Sequence, residues 1–307
     1  LYLASLQGFA NLVKIVLDAG ANVNAQDGTY DNPLQAAAGA DLNFVNWECG
    51  CALQAASVCG YQDIVEMLLS AGADINVEGG EYGSALQAAS MNGYQDIVKM
   101  LLDLGADVNL EAGIHGSALE GASKNGHQDI VKTLLGAGAD VNLESGEYGS
   151  ALQAASMYGH QYIVKMLLEA GGDVNLRGGK YGSALQVASM HGHQYIVKIL
   201  LEAGADMSLR GGYYGTALRA ASWIGHRDIV KMLLDAGADV KLEGREYGSA
   251  LQVARVKGYE DIVKLLLNAG EREIVYDTSE SSQTSDNESE NSTGTNNAST
   301  TIEGNVE

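Results

Sequence analysis

The chain has 307 residues and is 46% aliphatic or aromatic, yet Phe and Trp number two each while Gly reaches 39. Any core must therefore be built from Ala, Leu, Ile and Val in close-packed short helices, and no apolar run approaches the ~18 residues that cross a bilayer. The net charge of −21 excludes another class, because neutralising a phosphate backbone or an anionic membrane surface requires clustered Lys and Arg.

The charge is unevenly spread. Residues 1–164 hold 4 basic and 19 acidic side chains, residues 165–270 hold 13 and 11, and residues 271–307 hold 1 and 9. A single Gly recurs as Gly39, Gly72, Gly105, Gly138, Gly171, Gly204, Gly237 and Gly270, each 33 residues after the last. A fixed period of this length marks stacked supersecondary units.

Leu1 falls inside the pattern, which implies a parent chain that starts further upstream. Residues 1–24 read as a partial unit. From Gly20 to Gly39 the spacing shrinks to 19, with 14 residues missing after Ala37, so residues 25–43 form a truncated unit without its second helix. The gap is either a genuine deletion or a misassigned splice junction. Nearest-neighbour stacking holds such arrays together, so the gap predicts that residues 1–24 are uncoupled and weakly ordered.

Residues 44–270 contain seven intact units, whose helix pairs begin at Cys51, Ser84, Ser117, Ser150, Ser183, Thr216 and Ser249. In the best copy Ser84 is an N-cap with Gln87 three residues on, the spacing of a reciprocal capping box. Ser117 with Glu120, Ser150 with Gln153, Ser183 with Gln186 and Ser249 with Gln252 repeat it. Gly93 ends this helix, and a second starts at once with Asp96 in its first turn and Ile97, Val98, Leu101 and Leu102 as an apolar stripe. Gly105 is a left-handed stop. The Gly-rich, charged segment before the next unit reads as a protruding hairpin finger. Residues 271–307 are a Ser/Thr/Asn-rich acidic tail without core-forming side chains, and disorder is expected there. Within it Asn291-Ser292-Thr293 and Asn297-Ala298-Ser299 match glycosylation acceptors by chance composition, and Ser285 with Glu288 matches an acidophilic kinase site.

These residues resemble the ankyrin repeat over 1–270. The resemblance implies an all-α solenoid of stacked antiparallel helix pairs with β-hairpin fingers, and a non-catalytic scaffold that binds a protein through its concave finger and first-helix surface. Where that family usually has Thr-Pro-Leu-His, this chain has Ser-Ala-Leu-Gln, and Pro33 is the one survivor of the Pro. Arrays with this wording are similar to the ankyrin tails of fungal multidomain proteins, some with a nucleotide-binding NACHT-type domain upstream. The alternative reading is accordingly a regulatory or sensor tail of a larger protein.

No chemistry stands out. His127, His160, His193 and His226 recur after the turn Gly and read as structural. Cys49, Cys51 and Cys59 lack the His or fourth thiol of a zinc site and read as free thiols in a reducing compartment, which places the chain inside the cell, in the cytoplasm. The Gly-rich fingers lack the Lys and the strand-loop-helix context of a phosphate cradle. Neither cofactor, metal nor catalytic set is expected. Function should lie where copies differ. Along the fingers Glu78, Glu81, Glu111, Glu144 and Glu147 give way to Arg177, Lys180 and Arg210. Tyr181, His191, Tyr213, Tyr214, Arg219 and Trp223 crowd the same two units, with Met157, Tyr158 and Met190 at the exposed ends of first helices. Arg177, Lys180, Tyr181, His191, Arg210, Tyr213, Tyr214, Arg219 and Trp223 are the candidate partner-binding residues, facing an acidic or aromatic protein segment.

Overall fold

The computed structural model describes residues 7–18, 51–242 and 248–280. The truncated unit, Pro33, Cys49, the glycosylation triplets and Ser285 lie outside the described residues. Fifteen helices are described. The first, α1 (Ala10–Asp18), precedes seven helix pairs: α2 (Ala52–Cys59) and α3 (Gln62–Ser70), α4 (Ala85–Asn92) and α5 (Gln95–Asp103), α6 (Ala118–Asn125) and α7 (Gln128–Gly136), α8 (Ala151–Tyr158) and α9 (Gln161–Glu169), α10 (Ala184–His191) and α11 (Gln194–Glu202), α12 (Ala217–Ile224) and α13 (Arg227–Asp235), and α14 (Ala250–Lys257) and α15 (Glu260–Glu280).

Each first helix is short because its cap and its stop are close together. Ser84 is extended at φ −132° and its hydroxyl accepts the Gln87 N–H, and Gly93 at φ 85° ends the helix in a left-handed turn. The Gly also leaves room for the next unit. A Cβ there would come within 2.7 Å of the His127 ring, so Ala is blocked by packing as well as by backbone angle. Second helices end in a Schellman turn, with Ala106 N–H donating to Leu101 C=O and Gly105 N–H to Leu102 C=O. Ile97, Val98 and Leu101 are wholly buried, as are Ala88, Ala89 and Ser90 on the facing helix. The small residues let successive first helices approach more closely than the second helices do.

The Gln at the third helical position does more than cap. The Gln87 amide donates to Leu110, Ala112 and Gly116 carbonyls at 3.1, 3.0 and 2.5 Å, tying its unit to the next finger. Gln54 and Gln153 do the same one unit earlier and two units later. The reciprocal half of the box, in which the cap N–H donates to the Gln side-chain oxygen, is made at Cys51, Ser183 and Ser249. A second tie runs through Asn109, whose side-chain oxygen accepts the Asp140 N–H at 2.7 Å, while the Asp140 carboxylate accepts the Asn142 N–H at 2.9 Å. The same link joins Asn76 to Asp107, Asn142 to Asp173 and Asn175 to Asp206. No β-strand is assigned among the described residues, and the fingers are tight loops closed by single antiparallel bridges such as Gly178 with Gly182.

Three expectations change. The N-terminal fragment is coupled to the array: α1 packs against α3, Val13 is fully buried, and Gly8 meets the Tyr61 ring as Gly60 meets Tyr94. Stacking needs a neighbour in space rather than in sequence, and the partial unit docks on the first intact pair. At the other end Gly270 does not stop its helix, which runs on to Glu280. In the other described units the Gly is followed by a small residue, Ala or at 172 Gly, and then Asp, whose carboxylate accepts an N–H two residues on, whereas Gly270 is followed by Glu271 and Arg272, with no Asp in that place. Finally, Arg219 is 2% exposed. It occupies the position of the inter-unit Gln and cannot meet a partner directly.

Candidate functional site

The fingers and first helices carry two aromatic clusters, and each holds a lysine. In the first, the Tyr148 ring from a finger lies edge-on to Tyr158 at 5.7 Å and stacks on Tyr181 at 6.3 Å. The Tyr148 and Tyr158 hydroxyls are hydrogen-bonded at 2.8 Å, and the Lys124 ammonium sits 5.0 Å over the Tyr148 ring. Burial and that hydroxyl bond push the Tyr158 phenol up to about 12. In the second cluster Tyr213 meets Tyr214 edge-on at 5.0 Å, Tyr214 meets Trp223 at 6.0 Å, and Lys257 from the following unit sits 4.2 Å over Trp223. Burial and the neighbouring Tyr213 and Tyr181 raise the Tyr214 phenol.

The sequence-selected residues therefore fall into separate environments. Tyr213, Tyr214 and Trp223 come together, with Arg219 beneath them donating to the Tyr214 carbonyl at 2.7 Å. Tyr181 bridges towards the first cluster. Lys180 is engaged by Glu147 on the preceding finger at 3.0 Å, a solvent-exposed pair that water and salt screen. Arg177 and Arg210 are exposed on their fingers, and the Asp206 carboxyl is held low by the Ser208 hydroxyl and N–H, with a smaller contribution from the charge of Arg177. His191 stacks on His193 at 6.2 Å, and burial, together with His193 and His226, lowers its pKa.

Ankyrin-repeat family models of three copies each match residues 1–79, 39–112, 119–211 and 180–244. The chain belongs to the ankyrin repeat family. A similar solved structure is the ankyrin repeat domain of human ASB11, 28% identical, with a TM-score of 0.61 and covering 71% of this chain and 96% of that one. No curated protein matches the chain. Ankyrin repeats generally mediate protein–protein interaction and are typically without catalytic activity.

In this ankyrin array the recurring His residues are structural ties. The Nε2 of His127, His160, His193 and His226 lies 2.9 to 3.0 Å from a first-helix carbonyl of the preceding unit, so the proton is on Nε2. Burial raises the pKa of the Cys51 and Cys59 thiols, and no cluster able to hold a metal occurs among the described residues. No helix among those residues is long and apolar enough to cross a membrane. The sequence reading passed over Lys124 and Lys257, the cations of the two clusters. It also passed over Tyr162 and Tyr195, which are exposed on the second helices where most other ankyrin units have Asp. Lys165 donates to the Tyr195 hydroxyl at 3.0 Å. The signal for this pair was available: the same Asp-to-Tyr change in two consecutive copies.

Proposed function

We propose that the array is a non-catalytic scaffold whose finger and first-helix face, over residues 177–224, binds an acidic or aromatic segment of another protein. One observation carries the reading: exposed Arg177 and Arg210 stand on adjacent fingers, the second of which also carries Tyr213 and Tyr214 packed against Trp223, in a chain whose other fingers are mostly acidic. Arg and aromatic residues supply most of the energy at protein interfaces, and a carboxylate between two exposed guanidinium groups gains both charge and orientation. Tyr181, Lys180 and His191 border the patch, and Arg219 supports it from below by fixing the Tyr214 backbone. The unoxidised thiol of Cys51 favours a reducing, intracellular setting. The test is binding of a panel of acidic and aromatic peptides to the full chain and to the Arg177→Glu, Arg210→Glu, Trp223→Ala triple variant. Loss of binding with an unchanged melting curve supports the reading, and unchanged binding ends it.

A further inference from the structure

Three consecutive second helices depart from the repeat, and the departures fall on one exposed stripe. Tyr162 on α9 and Tyr195 on α11 stand where the other five second helices of the intact units have Asp, and they are 59% and 51% exposed. Arg227 on α13 stands where the five preceding second helices have Gln. The three helices touch along this stripe. Lys165 on α9 donates to the Tyr195 hydroxyl at 3.0 Å and lies 5.1 Å from the centre of its ring, and Gln194 beside Tyr195 reaches the Asp228 carboxylate at 3.5 Å. Between α11 and α13 lies an open cleft of about 420 Å³ lined in part by Gln194, Arg227 and Asp228. Arg227 is exposed and gives one N–H to Asp228 at 3.1 Å, out of the five that a guanidinium carries.

The exchanges also alter the charge. Over their first two turns α7, α9, α11 and α13 hold five cations, Lys132, Lys165, Lys198, Arg227 and Lys231, against Asp129 and Asp228. The same turns of α3 and α5 hold Lys99 against Asp63, Glu66 and Asp96. The remaining carboxylates of α9 and α11, Glu169 and Glu202, are at the far ends of their helices, with Glu202 reaching back to Lys198 at 3.8 Å. In a chain of net charge −21 the stripe is a local excess of positive charge around two exposed rings, and Tyr and Arg are residue types enriched at interface cores.

We propose that this stripe is a second docking surface, for an acidic segment of another protein, with Tyr162 and Tyr195 as platforms and Lys165, Lys198 and Arg227 as receivers of its carboxylates. It is built on second helices, whereas the surface over 177–224 is built on fingers and first helices, so neither depends on the other.

The test uses the full chain carrying Arg177→Glu, Arg210→Glu and Trp223→Ala, which disables the finger surface, and reads the fluorescence anisotropy of a labelled peptide rich in Asp and Glu. Binding should persist in this background. Adding Tyr162→Asp, Tyr195→Asp and Arg227→Gln, each the residue of neighbouring units, should leave the melting curve unchanged and weaken binding by about tenfold or more. Tyr195→Phe keeps the ring and should retain the binding. Equal binding with and without the three reversions overturns the proposal. So does tighter binding of a dT oligonucleotide than of the peptide, which would make the stripe a site for any polyanion. A concentration-dependent dimer that the reversions dissolve would also overturn it, by giving the surface to a second copy of the chain.

Discussion

Gly8 lies against the face of Tyr61, close enough that a Cβ on the glycine would come within 2.8 Å of the ring. The same relation joins Gly93 to His127 and Gly126 to His160 within the array, so the N-terminal fragment is seated in the register of a full neighbour. In such a stack each unit is held by the unit it touches.

It follows that Val13, fully buried from α1, contributes to the stability of the first intact unit. Val13→Ala should cost about 2 kcal/mol in urea unfolding of the N-terminal end and should raise hydrogen exchange in α3 while leaving α11 unchanged. An α3 indifferent to the substitution would mean that the fragment stands apart after all.

The Gln ties give a sharper contrast. Gln153 donates to the Gly178 and Gly182 carbonyls at 3.2 and 2.5 Å, whereas Gln252 is exposed at the last unit. Gln153→Ala leaves buried carbonyls without a donor and should cost about 1–3 kcal/mol. Gln252→Ala should fall within about 0.5 kcal/mol of the parent chain. Chemical denaturation of the two variants decides the point, and equal effects would reduce the Gln to a cap.

The legibility of this protein follows the range of its interactions. The caps, stops and apolar stripes were readable because Ser84, Gly93 and Leu101 act within a few residues of their own position. Gln87 was read as half right for the same reason: its local partner is three residues away and its other partners are up to 29 away, across the unit boundary. Arg219 was misplaced because its exposure depends on a position that only the stack buries. Gly270 failed as a stop because the residues after it had changed, which the period alone does not register. Pairing of Lys124 with Tyr148 and of Lys257 with Trp223 needs the spacing between neighbouring helices and fingers, and periodicity carries no information about that.

Two glycines separate backbone strain from packing. Gly126 and Gly138 both have positive φ, at 80° and 89°, but a Cβ on Gly126 would come within 2.6 Å of the His160 ring while one on Gly138 meets nothing within 4 Å. Gly138→Ala should cost about 1–2 kcal/mol, the strain of a left-handed non-glycine residue. Gly126→Ala should cost distinctly more and should displace His160 from the Lys124 carbonyl, visible as a shift of the His160 ring resonances. Equal costs would show that the ring yields freely.

Arg219 tests whether the aromatic cluster is contacted or merely supported. Its guanidinium is buried against the Tyr214 carbonyl, so a partner on the finger and first-helix face touches Tyr213, Tyr214 and Trp223 and not Arg219 itself. Arg219→Gln restores the residue found at this position in the neighbouring units and retains an amide able to donate to the next finger. The fold should survive, and affinity for an acidic or aromatic peptide should change by less than about threefold, the effect of slightly freeing Tyr214. Arg210→Glu, at an exposed position beside the same cluster, should weaken that binding tenfold or more, about 1.4 kcal/mol. Titration of one peptide into both variants makes the comparison, and a larger loss in Arg219→Gln than in Arg210→Glu would return Arg219 to the contact surface.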